Sequence, residues 1–394
     1  MSEINGYSFY DRENILKMIL EANPGELLNV YGEAGIGKSR LLEEACARLL
    51  EKKKNGQIVL VDLSRLQQAG DPDSFLGLVE EIAGRMQLTA GVKTFRGAGR
   101  PAELAGEIIR QVIQFSEKDG YFLLILDTTE IFQENSSFWR WLEENLIGPL
   151  LIETQARIIF SGRVPAPLRR WEVRRSIRLV SIEPLSCETD AAGLAREVLE
   201  RGAVPALGMD KVKALVQLVL DFSFGHPELT ILLARTLADD PPQGIDNKVK
   251  QKICLETIKP FIDQTFFEGI DERWKRILWW ASILNWFDSA ILQKYLQHVD
   301  PDLGNETDWF YIEGIKELRI RKTVVWREKE GDRLHGVIRD IVRQCLECTE
   351  VQKYRQAVKA AHDTFVEIAR EFETEDDEDH LLYVQESEKF GVVP

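Results

Sequence analysis

Gly32-Glu33-Ala34-Gly35-Ile36-Gly37-Lys38-Ser39 is the stretch that decides the fold of this chain. Its spacing is G-x-x-x-x-G-K-[ST], that of a phosphate-binding loop. The glycines are required because backbone N–H groups must turn inward around an anion, through angles that a Cβ disfavours. Lys38 then offers a point charge to the β- and γ-phosphates of a nucleotide, and Ser39 offers a hydroxyl to Mg²⁺. The helix that opens there adds its positive end. Gly32, Gly35, Ile36, Gly37, Lys38 and Ser39 are therefore the expected cradle for ATP or ADP. The flanks agree. Pro24-Gly25 signals a turn and Leu27–Tyr31 is a short apolar strand. After the loop, Leu41, Leu42, Ala45, Leu49 and Leu50 recur at helical spacing over Lys38–Lys54, up to Asn55-Gly56.

Outward from this motif, Ile58–Leu63, Tyr121–Leu126, Ala156–Ser161 and Ser176–Ile182 are unbroken apolar runs of strand length between helical patterns. That alternation predicts an α/β domain: a parallel sheet with helices on both faces. A phosphate-binding loop needs an acidic partner on another strand to hold the metal. Asp127 closes the run FLLIL and fits that role, with Ser39, for Mg²⁺; a strand-end aspartate capping a turn fits the same pattern. Position 128 is Thr, so the nearest carboxylate able to polarise an attacking water is Glu130, which also reads as an ordinary helix-start residue. Slow ATP hydrolysis is expected. Arg163 follows Ala156–Ser161, a strand expected beside the P-loop strand, so its side chain suits sensing of the γ-phosphate. It also belongs to a stretch rich in arginine (Arg169, Arg170, Arg174, Arg175, Arg178), in which Trp171 is the lone aromatic, thin support for nucleic acid. Val92–Pro101 reads as an exposed loop.

After Pro184 the apolar strands stop. Ser186 is a plausible helix N-cap, and helical patterns run through Lys211–Leu220 and Pro227–Ala238. Asp239–Asp246 (DDPPQGID) is a linker. Glu272–Leu284, Ser289–Leu296 and Trp309–Leu318 read as three helices. Thr323–Trp326 and Arg333–Leu334 follow, around Glu330-Gly331-Asp332, which are the parts of a winged helix. Tyr354–Arg370 is helical, and an acidic stretch, Glu371–Asp379, comes next. The expected domains are a P-loop nucleotide-binding domain over 1–183, an α-helical domain over 184–240, a winged-helix domain over 241–348 and a C-terminal segment over 349–394.

The 394 residues carry a net charge of −15, with 44% hydrophobic and 29% charged side chains. This balance suits a folded multidomain chain and opposes general adhesion to nucleic acid or anionic membrane. No apolar run approaches the ~20 residues of a membrane span, and the start MSEINGYSFYDRE lacks the features of a signal peptide. A cytoplasmic address is expected. The five cysteines are odd in number and scattered, as expected of reduced thiols. Cys345 and Cys348 have C-x-x-C spacing within the helical pattern Val337–Leu346, without a second ligand pair, so packing is the expected role.

The ordered set Asp11-Arg12-Glu13, P-loop, Asp127, Gly162-Arg163, Gly225-His226-Pro227 and Leu334-His335-Gly336 resembles the STAND NTPases, the signal-transduction ATPases with numerous domains. The resemblance covers roughly residues 8–348. It implies a switch that ADP holds closed and ATP opens for assembly, acting on protein partners and forming nucleotide-dependent homo-oligomers. It implies Arg12 near the adenine, Pro227 packed on base or ribose, and His335 reaching the β-phosphate of ADP. Read without the resemblance, Arg12 fits surface charge, Gly225-His226-Pro227 a turn opening a helix, and His335 a helix-end residue. The sequence departs from the family pattern at Asp11, where Gly is usual, and at Leu-His-Gly, where Met-His-Asp is common. No effector or repeat-built sensor is recognisable, so these are expected on separate proteins or on a longer chain. The alternatives are a DNA-handling ATPase of initiator type and a non-hydrolysing nucleotide-stabilised scaffold. Glu313 and Glu317 on the third helix, against Arg319, Arg321 and Lys322 after it, make specific nucleic-acid binding an unfavoured expectation.

Overall fold

The apolar runs form five strands: β1 (Leu27–Tyr31), β2 (Gly56–Asp62), β3 (Tyr121–Asp127), β4 (Arg157–Gly162) and β5 (Ile177–Ser181). All pair in parallel, in the order β2-β3-β4-β1-β5. The computed structural model describes residues 7–52, 55–69, 71–88, 101–118, 120–132, 136–154, 156–202, 208–321, 325–327, 331–372 and 377–390. The loop expected at Val92–Pro101 falls, up to residue 100, outside them.

The inner strands are largely apolar because both faces are covered. Phe122, Leu124 and Leu126 pack with Leu78 and Ile82 of helix Asp71–Arg85 and Ile108 and Val112 of helix Pro101–Ser116. Leu123 and Ile125 point the other way and are equally buried. On that side helix Lys38–Lys52 buries Leu41, Leu42, Ala45 and Leu49, and helix Glu13–Leu20 buries Leu16 and Ile19. Each such leucine or isoleucine contributes roughly 1.5–3 kcal/mol. Leu50 is not part of this stripe. It sits one residue past Leu49, about 100° round the helix, and is 59% exposed.

Contacts along the chain divide it into two units, Arg12–Glu183 and Met1–Asp11 with Pro184–Pro394. Residues 7–11, expected in the nucleotide-binding domain, therefore group with the second unit. Their side chains explain it. Tyr10 donates its hydroxyl to Glu197 Oε2 at 2.9 Å, and Ser8 N–H donates to the same carboxylate at 3.1 Å. Arg235 Nε donates to the Tyr7 hydroxyl at 3.2 Å, while the Arg201 guanidinium lies 4.8 Å from the Tyr7 ring centre.

The second unit is mostly helical. Helices Ala192–Arg201, Met209–Ser223 and Pro227–Asp239 share a core of Leu194, Val198, Leu215, Val219, Leu233 and Leu237. Ser186 precedes the first of them at an N-cap position, without a capping bond from its side chain. Beyond residues 240–246, Asp246 caps helix Asn247–Ile253 by accepting Val249 N–H at 2.9 Å. Helices Glu272–Ala281, Ser289–Val299 and Asp308–Arg321 follow, the first two capped by Asp271 and Asp288. The antiparallel pair β6 (Val325–Arg327) and β7 (Asp332–Leu334) comes next and is bridged to Phe287. The Arg319 guanidinium grips both carboxylate oxygens of Asp332, which is 1% exposed. Helices Val351–Phe372 and Asp377–Glu388 complete the unit and share its core through Ala357, Ala361 and Phe365. Cys345 is buried, its thiol donating to the Cys254 carbonyl at 3.7 Å, and all five cysteines are free thiols. Among the described residues no cluster of His, Cys, Asp and Glu suits a metal, and no helix is long and apolar enough to cross a membrane.

Candidate functional site

The strand order places the C-terminal ends of β3, β4 and β1 side by side. From β1 the chain travels to β2 at one edge of the sheet, while β5 lies on the other side of β1. In open α/β sheets that reversal is where ligands bind, beyond the strand ends. The loop Gly32–Gly37 fills this place. Gly35 and Gly37 adopt φ of 69° and 99°, the left-handed region that a Cβ disfavours. A Cβ on Gly32 would stand 2.8 Å from the Ile182 carbonyl, whereas one on Gly37 would enter open space. Gly32 is therefore fixed by close packing and Gly37 by the turn itself.

Lys38, at the helix start, donates to the carbonyls of Gly32 at 2.8 Å and Glu33 at 2.7 Å. Burial pushes its pKa down, opposed chiefly by Glu130 and then Asp127. Both acids singled out in the sequence thus act on its charge. The Ser39 hydroxyl donates to Asp127 Oδ2 at 3.0 Å. A serine oxygen from a helix start beside a carboxylate from a strand end is a hard oxygen pair, and its chemistry fits Mg²⁺.

The turn after Asp127 relies on a residue that the sequence reading missed. Asp62 ends β2 and is the register partner of Asp127. Thr128 donates its amide to Asp127 Oδ1 at 2.9 Å and its hydroxyl to Asp62 Oδ1 at 3.0 Å, and it is left-handed at φ 63°. The chain therefore turns sharply, and the short helix Thr129–Ile131 carries Glu130 to the end of β4. There Arg163 N–H donates to Glu130 Oε2 at 3.1 Å, and Arg163 Nε lies 3.3 Å from Oε1. A Cβ on Gly162 would stand 2.2 Å from Thr129 Oγ1 and 3.0 Å from Glu130 Oε2. The glycine in FSGR is what admits this carboxylate, and it was legible in the sequence as a glycine at a strand end.

Arg12 lies behind the loop. It is 7% exposed, and its guanidinium donates to the carbonyls of Ile36 at 3.4 Å and Glu183 at 2.5 Å. Asp11 and Arg12 adopt φ of 40° and 128°, costly for residues with a Cβ. The first unit thus brings together Arg12, the loop, Lys38, Ser39, Asp127, Glu130 and Arg163. Pro227 and His335 lie in the second unit. Pro227 is the first residue of its helix, after a left-handed Gly225 (φ 76°) and a buried His226 whose Nδ1 accepts Leu229 N–H at 3.3 Å. His335 is the N-cap of helix Gly336–Thr349, and its carbonyl accepts Arg339 N–H at 2.9 Å.

No protein-family model and no curated protein sequence matches the chain. Solved structures do. A Walker-type ATPase of Pyrococcus abyssi is similar at a TM-score of 0.55 and 15% identity, over 85% of this chain and 95% of that one. A STAND protein with a tetratricopeptide repeat sensor from Pyrococcus horikoshii is similar at a TM-score of 0.37 and 16% identity, over 98% of this chain and 49% of that one. The chain therefore spans about half the length of the Pyrococcus horikoshii protein. The Cdc6p structure from Pyrobaculum aerophilum is similar at a TM-score of 0.42 and 12% identity, over 89% and 97%. At such identities the likeness speaks for the fold: this chain has the fold of a P-loop ATPase, with a mostly helical second unit.

Proposed function

We propose that this chain binds ATP and ADP with Mg²⁺ on its P-loop and works as a nucleotide-dependent switch of the STAND type. The observation that carries this reading is the convergence, at one end of one sheet, of Lys38, the Ser39–Asp127 pair and the Glu130–Arg163 pair. In this reading Lys38 neutralises phosphate charge, and Ser39 and Asp127 hold the metal, which supplies electrostatic stabilisation of the triphosphate. Glu130 orients and polarises the attacking water. Arg163, which occupies Glu130 in the structure, is the natural sensor: a γ-phosphate competes for its guanidinium and frees the carboxylate. Hydrolysis is slow because position 128 presents a hydroxyl, engaged with Asp62, where a second acid is common.

Pro227 and His335 are assigned nucleotide contacts by the resemblance. Three helices followed by an antiparallel pair support a winged helix over 272–334. Protein partners, nucleotide-dependent homo-oligomers and a cytoplasmic address belong to the same reading. The DNA-handling alternative gains little from the third helix, since Arg319 is engaged with Asp332. Identifying the nucleotide that survives purification tests the reading directly: retained ADP supports a latched switch, and a chain that neither retains nor takes up adenine nucleotide sinks it.

Two variants separate the carboxylates. Asp127→Asn should weaken MgATP binding by about 10- to 150-fold, the worth of a hydrogen bond to a charged group, and leave Mg²⁺-free ADP binding nearly unchanged. Glu130→Gln should lower ATP turnover by about 10²-fold or more at unchanged MgATP affinity. Isothermal titration and single-turnover hydrolysis read the two effects. Undiminished turnover in Glu130→Gln would remove Glu130 from the chemistry.

A further inference from the structure

We propose that the arginine-rich face at the β5 edge of the sheet docks the acidic run Glu371–Asp379 of a second copy of this chain. Among the described residues β5 pairs with β1 alone, and its Arg178 and Leu179 are exposed. The short helix Trp171–Arg174 before it adds Trp171, which is 65% exposed, and exposed Arg170, Arg174 and Arg175. Few carboxylates answer these charges. Arg170 is 3.7 Å from Glu172 and Arg178 is 3.8 Å from Glu26, both longer than a hydrogen bond. Among the described residues no ion pair holds Arg174 or Arg175; the Arg175 guanidinium instead lies 5.3 Å from the Trp171 ring centre. Within residues 157–183 all seven basic side chains are arginine, the residue whose planar fork binds carboxylates through paired hydrogen bonds.

The occupant follows from charge. The chain as a whole carries −15, opposite in sign to this face, and nine residues at 371–379 hold seven carboxylates, of which Glu371 is engaged by Lys294 at 2.7 Å. A short acidic segment is opposite in charge to this face. A nucleic acid is a continuous polyanion and would run past it onto the acidic remainder, where like charges repel. The association needs no nucleotide, and so it stands or falls apart from the switch reading.

Sedimentation velocity of the full chain without nucleotide, in about 50 mM and about 500 mM salt, tests it. The wild type should self-associate at low salt and weaken at least ~10-fold at high salt. Arg174→Glu with Arg178→Glu, and separately Glu375→Lys with Asp376→Lys, should each weaken self-association by about 10-fold or more at an unchanged melting temperature. Mixing the two variants should restore it. A wild type that stays monomeric, or variants that associate like the wild type, would overturn the proposal. So would an arginine-dependent complex with a single-stranded oligonucleotide in place of self-association.

Discussion

Lys38→Ala is expected to erase the effect of adenine nucleotide on stability. A ligand present at about 100 times its dissociation constant stabilises the state that binds it by ~2.7 kcal/mol, so the wild type should melt clearly higher with MgADP. The mutant should show no shift and no measurable MgATP uptake. The fold itself should survive, because burial already disfavours the Lys38 ammonium and its two partners are backbone carbonyls at the loop's own edge. Differential scanning fluorimetry across a nucleotide series reads this. A shift as large as that of the wild type would place the nucleotide elsewhere on the molecule.

Arg319→Ala is expected to destabilise the second unit by about 3 kcal/mol or more, since it strands the buried Asp332 carboxylate beneath the β6–β7 pair. The melting temperature of that unit should fall by about 6–12 °C. Removing both partners should recover part of the loss, because an apolar pair leaves no uncompensated charge. Circular dichroism melts of Arg319→Ala, Asp332→Ala and the double variant form the cycle. An unchanged melt, together with lost binding to an oligonucleotide, would instead give Arg319 the DNA-facing role of the initiator reading.

The parts of this architecture that were legible in the sequence are those fixed by local pattern. β1 is apolar at its buried positions Leu27, Leu28 and Val30, with Asn29 the polar exception, because it is central to a sheet covered on both faces, and the P-loop needs specific residue types at specific offsets. Even the place of β4 beside β1 was readable. The unread parts depend on which distant residues the fold makes neighbours. Asp62 is an ordinary strand-end aspartate until β2 and β3 pair in register, and only then does it hold Thr128. Tyr7 and Tyr10 fall within the domain expected over 1–183, yet their partners, Arg235 and Glu197, lie far along the chain. His226 stood inside a suspected nucleotide element, and the structure shows its ring buried against Phe261 and Phe266 while it caps a helix. Arg319 reads in the sequence as one of three basic residues after the third helix, because nothing local announces that it pairs with the buried Asp332.

The resting position of Lys38 carries a consequence for which anions the loop accepts. Two of its three N–H donors already serve carbonyls of the loop, so an incoming anion finds one donor at hand and gains more from the lysine only by displacing a carbonyl. One orthophosphate, with little else to hold it, hardly improves on that arrangement. A chain of linked phosphates engages the lysine, the loop amides and the Ser39–Asp127 pair together, and so overcomes it. The loop thereby discriminates by the number of phosphates joined in one ligand. In a titration, pyrophosphate should displace a fluorescent ADP analogue at far lower concentration than orthophosphate does, and Asp62, Thr128 and Gly162 take part only by keeping Asp127 and Glu130 in place while this exchange occurs.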